Sequence, residues 1–196
     1  MDSPDFSYKR IAVIGATCSG KSTLAGKLAK KLALDYIELD ALQWEPNWTA
    51  VPSDVLCEKV ERAALSPGWV SDGNYSITRH ILWPRAEAII WLDYPLSKLL
   101  PRLVRRTWKR WWTQEKLWNV NRERLVDQFM LWSDRSLFVW LFKSHKRHKR
   151  EYPTLFAQPE YRHLKVFHFE TAGQTDAWLN SNFGDLTRNI NLDLNI

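Results

Sequence analysis

The chain has 196 residues, of which 45% are hydrophobic and 26% are charged, and its formal net charge is +6. These values are ordinary for one globular domain with a well-buried core. The N-terminal residues lack the basic and apolar regions of a signal peptide, and no apolar run approaches the ~20 residues of a membrane span. We therefore expect a soluble, cytoplasmic protein, and two widely separated cysteines, Cys18 and Cys57, agree with a reducing compartment.

Strands and helices are predicted to alternate along the chain. The run "YKRIAVI" indicates a strand at 8–14, and "STLAGKLAKKL" indicates a helix at 21–32 because leucines recur there every four residues. Further strands are predicted at 35–39, 69–71, 88–92 and 164–169. Further helices are predicted near 53–65, near 76–83 (helix or turn), from 96 to about 150 with a break near 112–121, and in "QTDAWLNSNF". This alternation is typical of a parallel sheet with helices on both faces.

The segment "GATCSGKST" lies between the first strand and the first helix and matches G-x-x-x-x-G-K-[ST] at every fixed position. In this context the pattern predicts a loop whose backbone N–H groups surround phosphate, with the helix N-terminus facing the same anion. Lys21 would reach the β- and γ-phosphates, and the Ser22 hydroxyl would bind Mg²⁺. The predicted ATP-binding residues of the loop are Gly15, Ala16, Thr17, Cys18, Ser19, Gly20, Lys21, Ser22 and Thr23.

Acidic residues follow three of the predicted strands. Asp40 follows the second strand, "DGNY" (Asp72 to Tyr75) the third, and Asp93 the fourth. Because the carboxyl ends of parallel strands meet at one edge of a sheet, we expect the three carboxylates to converge on the phosphate loop. Taken singly, each of them is also compatible with an ordinary cap or turn role.

Four segments in the first half of the chain, "GATCSGKST", "IELDALQWEPNW", "WVSDGNY" and "IIWLDYP", resemble P-loop nucleoside and nucleotide kinases of the adenylate kinase type. The resemblance extends to small kinase-like proteins described as topology modulation or adenylate kinase-related proteins. It implies a three-layer P-loop NTPase fold, a five-stranded parallel sheet in the order 2-3-1-4-5, and a helical lid insertion. It also implies transfer of the γ-phosphoryl group of Mg-ATP to a nucleotide, a nucleoside or a small hydroxylated metabolite.

The same resemblance implies a division of the chain and roles for several residues. One kinase domain would span 1–184, with an acceptor-side subdomain at 41–67, a lid at about 105–125, and a flexible tail at 185–196. Two arginines follow "DYP" at the family's spacing, so Arg102 would lie against adenine and Arg106 would contact the ATP phosphates. Asp72 would organise Mg²⁺, whereas "AIIWLD" taken alone points to Asp93 for that role.

The acceptor side is defined less sharply. Asp40 would orient an acceptor hydroxyl and take its proton, a role that is not needed if the acceptor is already a phosphate. Trp44 and Trp48 would either wall an acceptor pocket or pack the subdomain. The family's third strand ends in Asp-Gly-x-Pro-Arg, but this chain has "DGNYS", so Arg79 is the candidate replacement for the missing arginine. The predicted acceptor-binding residues are Asp40, Trp44, Asn74, Tyr75 and Arg79.

The segment 102–150 is basic and rich in tryptophan, with 14 Lys or Arg against 4 Asp or Glu. It is interpreted in three ways: a lid whose tryptophans pack the long helices, a nucleic-acid surface, or an amphipathic membrane-surface helix. The lid is favoured by the arginine spacing, and "KSHKRHKR" is then a solvated helix end. The rival function is a nucleic-acid-associated ATP-binding regulator. The chain is expected to be a monomer or a dimer. The tryptophans of this segment include Trp108, Trp111, Trp112, Trp118 and Trp132.

Overall fold

A computed structural model describes residues 6–113, 116–117, 121–122 and 137–184 of the chain. Its central sheet has five parallel strands in the order β2-β5-β1-β6-β9. These strands are β1 (Arg10–Gly15), β2 (Asp35–Glu38), β5 (Trp69–Asp72), β6 (Ala88–Leu92) and β9 (Lys165–Phe169). The order 2-3-1-4-5 is confirmed, and the strands begin and end within two residues of their predicted positions.

Helices cover both faces of this sheet. They are α1 (Lys21–Leu32), α2 (Leu39–Gln43), α3 (Ser53–Ala63), α4 (Arg79–Leu82), α5 (Leu96–Thr113), α6 (Leu137–Phe156) and α7 (Ala172–Phe183). Two short antiparallel ladders pair β3 (Trp44–Glu45) with β4 (Thr49–Ala50) and β7 (Lys116–Leu117) with β8 (Asn121–Arg122). The mixed α/β architecture is that of a P-loop NTPase fold.

Local sequence explains where several helices begin and end. Leu24 and Leu28 in α1 are buried one turn apart, and Lys30 and Lys31 lie in its last turn, where cations interact favourably with the helix dipole. α7 begins with a capping box in which the Thr171 hydroxyl accepts from the backbone of the residue three positions later. The lysines and the capping box therefore favour the observed C-terminal end of α1 and N-terminal end of α7.

Alternate residues of β1 enter two separate cores, because a parallel sheet is covered on both faces. Ala12 and Ile14 pack with α3, α4 and the C-terminal part of α6, whereas Ile11 and Val13 pack with α1, α5 and α7. α6 contributes to both cores. Its residue Leu141 belongs to the second core and its residue Tyr152 to the first. α6 therefore passes across the carboxyl end of the sheet, beside the phosphate loop.

The region predicted to be helical from 96 to about 150 is interrupted, as expected near 112–121, since α5 ends at Thr113. The next helix that the structure describes, α6, begins at Leu137. Trp118, Trp132 and the predicted tail at 185–196 lie outside the described residues. Among the described helices, none is both long and apolar enough to cross a membrane.

Candidate functional site

The phosphate-binding pattern occupies the turn between β1 and α1. Gly15, Cys18 and Gly20 have positive φ values of 154°, 63° and 92°, so the backbone bends sharply through the loop. A Cβ atom at Gly15 would lie 2.6 Å from the Leu92 carbonyl oxygen of β6, and only glycine fits there without a shift. α1 begins at Lys21 with no acidic residue in its first turn, which leaves its N-terminus available to an anion.

A side chain from the neighbouring strand holds the start of this loop. Asn74 follows β5, and its Oδ1 atom accepts a hydrogen bond from the Gly15 backbone N–H at 3.1 Å. The Asn74 side-chain NH₂ group donates to the Gly15 carbonyl oxygen. Asn74 was predicted to bind the acceptor, but in the structure both polar ends of its amide are bonded to the loop. Its observed contact is therefore with the phosphate loop itself.

Asp72 ends β5 and lies against the first turn of α1. It is 3% exposed, and its carboxylate accepts hydrogen bonds from the Tyr36 hydroxyl at 3.1 Å and from Ser22. Burial raises the pKa of Asp72, while the bond from Ser22 and the charge of Lys21 act in the opposite direction. The two predicted metal ligands, Ser22 and Asp72, are thus in contact. A carboxylate and a hydroxyl are oxygen donors of the kind Mg²⁺ accepts, and the divalent charge would offset the cost of burying Asp72.

Asp93 lies on the other side of β1 from Asp72, since β5 and β6 flank that strand. Its carboxylate is 3.2 Å from His168 Nε2 and 3.8 Å from Lys149 Nζ. The His168 ring also stacks on Trp91, with centroids 4.0 Å apart. The structure therefore directs Asp93 toward β9 and α6, on the other side of β1 from Asp72.

Asp40 lies in the first turn of α2 and is held by a chain of hydrogen bonds. The Tyr75 hydroxyl donates to Asp40 Oδ1 at 2.7 Å, and Trp44 hydrogen-bonds the Tyr75 hydroxyl. Burial raises the pKa of Tyr75, so its hydroxyl keeps its proton and remains a donor. Trp48, in the turn between β3 and β4, meets the Trp44 ring edge to face, with the ring centroids 5.7 Å apart. Three predicted acceptor residues, Asp40, Trp44 and Tyr75, are consequently bonded in one network.

Asp40 and Asp72 interact electrostatically, because the charge of Asp40 contributes to the raised pKa of Asp72. The phosphate loop, the Ser22–Asp72 pair and the Asp40 network therefore form one continuous polar site along the carboxyl ends of β1, β5 and β2. Tyr36 was not predicted as a site residue. Its position in β2, two residues before Glu38, was the only sequence signal for it.

Arg79 lies at the start of α4, beside a narrow cavity that Asn74, Tyr75 and Tyr152 also line. The guanidinium carbon of Arg79 is 4.9 Å from the Trp83 ring centroid and 5.9 Å from that of Tyr152. Packing on aromatic faces holds a guanidinium in place while leaving its edge available for hydrogen bonds.

The two predicted nucleotide arginines lie one turn apart on α5. The guanidinium carbon of Arg102 is 5.5 Å from the Tyr94 ring centroid. The Nε atom of Arg106 is buried and has no hydrogen-bond partner among the described residues. A buried donor of this kind is costly unless another group, such as a ligand oxygen, pairs with it.

The predicted packing of the lid tryptophans is wrong for three of them. The buried stripe of α5, Leu99, Leu103 and Thr107, ends at Thr107. Beyond it Trp108 is 57% exposed and Trp112 is 73% exposed, and both rings contact Trp111. These tryptophans form an exposed aromatic cluster at the C-terminal end of α5, with Lys109 and Arg110 in the same turns.

The interpretation of "KSHKRHKR" as a solvated helix end is also wrong. The segment lies in the middle of α6, where Ser144 and His148 are buried. His145 Nε2 is 3.1 Å from the Tyr94 carbonyl oxygen. Leu141, Ser144, His148 and Tyr152 share one helical face, and this spacing is typical of a buried face. Three of the four side chains are polar, so the sequence pattern did not indicate burial.

No protein-family model matches the chain, and no curated protein matches it. Among solved structures, it is similar to an unliganded sugar kinase from Janibacter sp. HTCC2649, with 13% identity over 91% of this chain and 97% of that one, and a TM-score of 0.49. It is also similar to a gluconokinase from Sinorhizobium meliloti 1021, with 17% identity over 95% and 97% of the two chains and a TM-score of 0.47. The assignment of the fold rests on the strand order and the phosphate loop.

Proposed function

We propose that this protein is an ATP-dependent kinase that transfers the γ-phosphoryl group to a hydroxyl group of a small molecule. The observation that carries the proposal is the contact of the Ser22–Asp72 pair with the phosphate loop on one side and its electrostatic coupling to Asp40 on the other. A phosphate site, a metal-compatible oxygen pair and a positioned carboxylate are the parts that phosphoryl transfer requires.

In this proposal the loop amides and Lys21 bind the β- and γ-phosphates, and Arg106 pairs its buried Nε with a phosphate oxygen. Arg102 lies against the adenine ring. Ser22 and Asp72 would hold Mg²⁺, which would supply positive charge to neutralise the phosphate oxygens. The acceptor oxygen forms a bond to the γ-phosphorus as the bond from that phosphorus to the bridging oxygen of ADP breaks.

The proton of the acceptor hydroxyl passes to Asp40 in the same step. Tyr75 fixes the orientation of Asp40 by donating a hydrogen bond to Oδ1. The second carboxylate oxygen, Oδ2, then accepts a hydrogen bond from the hydroxyl group of the substrate. Arg79 and the cavity beside it provide the acceptor side of the site. Two charged carboxylates near each other, Asp40 and Asp72, disfavour a third anionic group between them unless a cation is bound.

The test is ADP release from Mg-ATP over a panel of small hydroxylated compounds, followed by Asp40→Asn on the best acceptor. We expect this variant to bind ATP normally while transfer falls by a factor on the order of 10² to 10⁴, the usual share of a general base. Asp54→Asn is the matched control, since Asp54 is exposed in the first turn of α3. Full transfer activity in Asp40→Asn would contradict the assigned role.

A second candidate function is nucleic-acid-dependent ATP binding, which the exposed aromatic cluster on α5 favours. Exposed tryptophans interleaved with lysine and arginine can stack on bases and pair with phosphates. Duplex or single-stranded DNA should then stimulate ATP turnover, and binding should weaken with salt with a slope near −0.9 per duplex phosphate contacted. ADP release that depends on a small acceptor and is unaffected by DNA favours the kinase.

A further inference from the structure

His148 is a buried imidazole without a hydrogen bond. The residue is 4% exposed, and neither ring nitrogen has a partner among the described residues. Its ring stacks on Tyr152 with the centroids 4.7 Å apart and the planes 8° from parallel. Stacking accounts for the orientation of the ring but leaves one donor and one acceptor unpaired. Native proteins seldom leave such groups unpaired, and a ligand is one way to pair them.

Basic residues of α1, α4 and α6 contribute to the electrostatic environment of this ring. After burial, the groups that contribute most to its low pKa are Arg147, Lys21, Arg79 and His145, in that order. Arg147 and His145 come from α6 itself, Lys21 from the phosphate loop, and Arg79 from α4. Burial and these charges lower the pKa of His148 to about 3, so the imidazole is neutral near pH 7. The site thus combines an unpaired neutral N–H donor with several nearby positive charges.

The position of His148 also relates it to the acceptor. Tyr152, on which it stacks, lines the narrow cavity at the end of β5 together with Arg79 and Tyr75. Tyr75 is the residue that holds Asp40. His148 and Arg79 both lie against the Tyr152 ring: the imidazole centroid is 4.7 Å and the Arg79 guanidinium carbon 5.9 Å from its centroid, and the charges of Lys21 and Arg79 both act on the imidazole. A molecule presenting a hydroxyl to Asp40 would extend toward this pair.

We propose that His148 and Arg79 bind an anionic group of the acceptor, so that the substrate is a hydroxylated acid, either a carboxylate or a phosphate ester, and not a neutral sugar or nucleoside. The inference rests on the proposed kinase function. An oxyanion accepts hydrogen bonds from the imidazole N–H and the guanidinium together, and its charge offsets the cations that crowd the ring. A neutral hydroxyl supplies only the first of these.

The substrate class is tested with compounds paired by charge in the full-length protein with Mg-ATP. The pairs are D-glycerate with glycerol, glycerol 3-phosphate with glycerol, and AMP with adenosine. We expect at least one anionic member to give a kcat/KM about tenfold or more above its neutral partner, the value of one charge-assisted hydrogen bond. The pair that responds distinguishes carboxylate from phosphate. Equal or better activity with the neutral members would overturn the proposal.

His148→Phe retains the ring stack on Tyr152 and removes both nitrogens. We expect the KM of the anionic acceptor to rise about tenfold, while kcat and the KM for ATP stay within about twofold. His163→Phe is the matched control, because His163 is exposed just before the amino end of β9, whereas α6 crosses the carboxyl end of the sheet. A rise in the KM for ATP with no change for the acceptor would place the imidazole on the nucleotide and contradict the proposal.

A binding measurement separates this inference from the kinase function. The ¹⁵N resonances of the His148 ring, assigned in the wild-type protein through its contact with the Tyr152 ring, are followed as glycerate, glycerol 3-phosphate or glycerol is added with ADP. Shifts caused by an anion and not by glycerol support the anion site even if no phosphoryl transfer is found, in which case only the kinase proposal fails. Resonances unchanged by every anion overturn the site. This arm uses the wild-type protein, so it holds if the variant does not fold.

Discussion

Replacing His148 by phenylalanine should make the folded protein less sensitive to acid. The pKa of this imidazole falls from 6.5, its ordinary value, to about 3 in the folded state, chiefly through burial. The unfolded chain therefore binds a proton below about pH 6.5 that the folded chain does not bind until about pH 3. A folded-state pKa below the unfolded one means that stability is fully present above pH 6.5 and is lost as the pH falls through this window.

The size of the effect follows from those two values. Between pH 8 and pH 5 the linkage relation gives a loss of about 2 kcal/mol of unfolding free energy from this one group. For a protein of this length that corresponds to a fall in Tm of roughly 4–8 °C. Lys21, Arg79, Arg147 and His145 remain in the variant, so the difference between the two proteins isolates the imidazole.

Urea unfolding of the wild type and of His148→Phe at both pH values measures this difference directly. At pH 8 we expect the variant to be as stable as the wild type or more stable, since it no longer buries two unpaired nitrogens. Asp72 has a raised pKa and contributes in the opposite direction, but it does so equally in both proteins. Equal losses of stability in the two proteins on acidification would refute the reasoning, as would an equally large change in the exposed control His163→Phe.

Three further outcomes are expected at the phosphate loop. Lys21→Met should lower ATP affinity about ten- to a hundredfold in a calorimetric titration, the value of a charge-assisted hydrogen bond, and unchanged affinity would contradict its role. Asp72→Asn should raise the Mg²⁺ concentration for half-maximal turnover far more than Asp93→Asn, because Asp93 is paired with basic groups; the reverse order would move the metal role to Asp93. Asn74→Ala should destabilise the fold by about 1–3 kcal/mol in urea unfolding and weaken ATP binding, because it removes both side-chain hydrogen bonds to Gly15, and unchanged stability would contradict this role.

The strand order was predictable because the phosphate-binding pattern fixes β1 and a resemblance to a known fold orders the rest. The position of Asp72 beside Ser22 follows from the same order, since β5 is the neighbour of β1. The partners of Asp72 and Asp40 were not predictable. Tyr36 and Tyr75 reach these carboxylates through side-chain directions that depend on how β2 and the turn after β5 are placed.

The inner face of α6 and the exposed end of α5 were misjudged for related physical reasons. Burial of a helix face depends on what packs against it, and local sequence reports this only when the face is apolar. Ser144 and His148 are polar yet buried, because α6 crosses the carboxyl end of the sheet. Trp108 and Trp112 are apolar yet exposed, because the packed stripe of α5 ends at Thr107.

The segment from Asp72 to Arg79 joins parts of the site that are usually considered separately. Within eight residues it includes the carboxylate bonded to Ser22, the amide bonded to Gly15, and the hydroxyl bonded to Asp40. A local opening of this segment would release the phosphate loop and the acceptor-side carboxylate at once. Hydrogen exchange at its backbone amides should therefore slow on ADP binding. The exchange rate would report how often the phosphate loop and Asp40 lose their hydrogen bonds together.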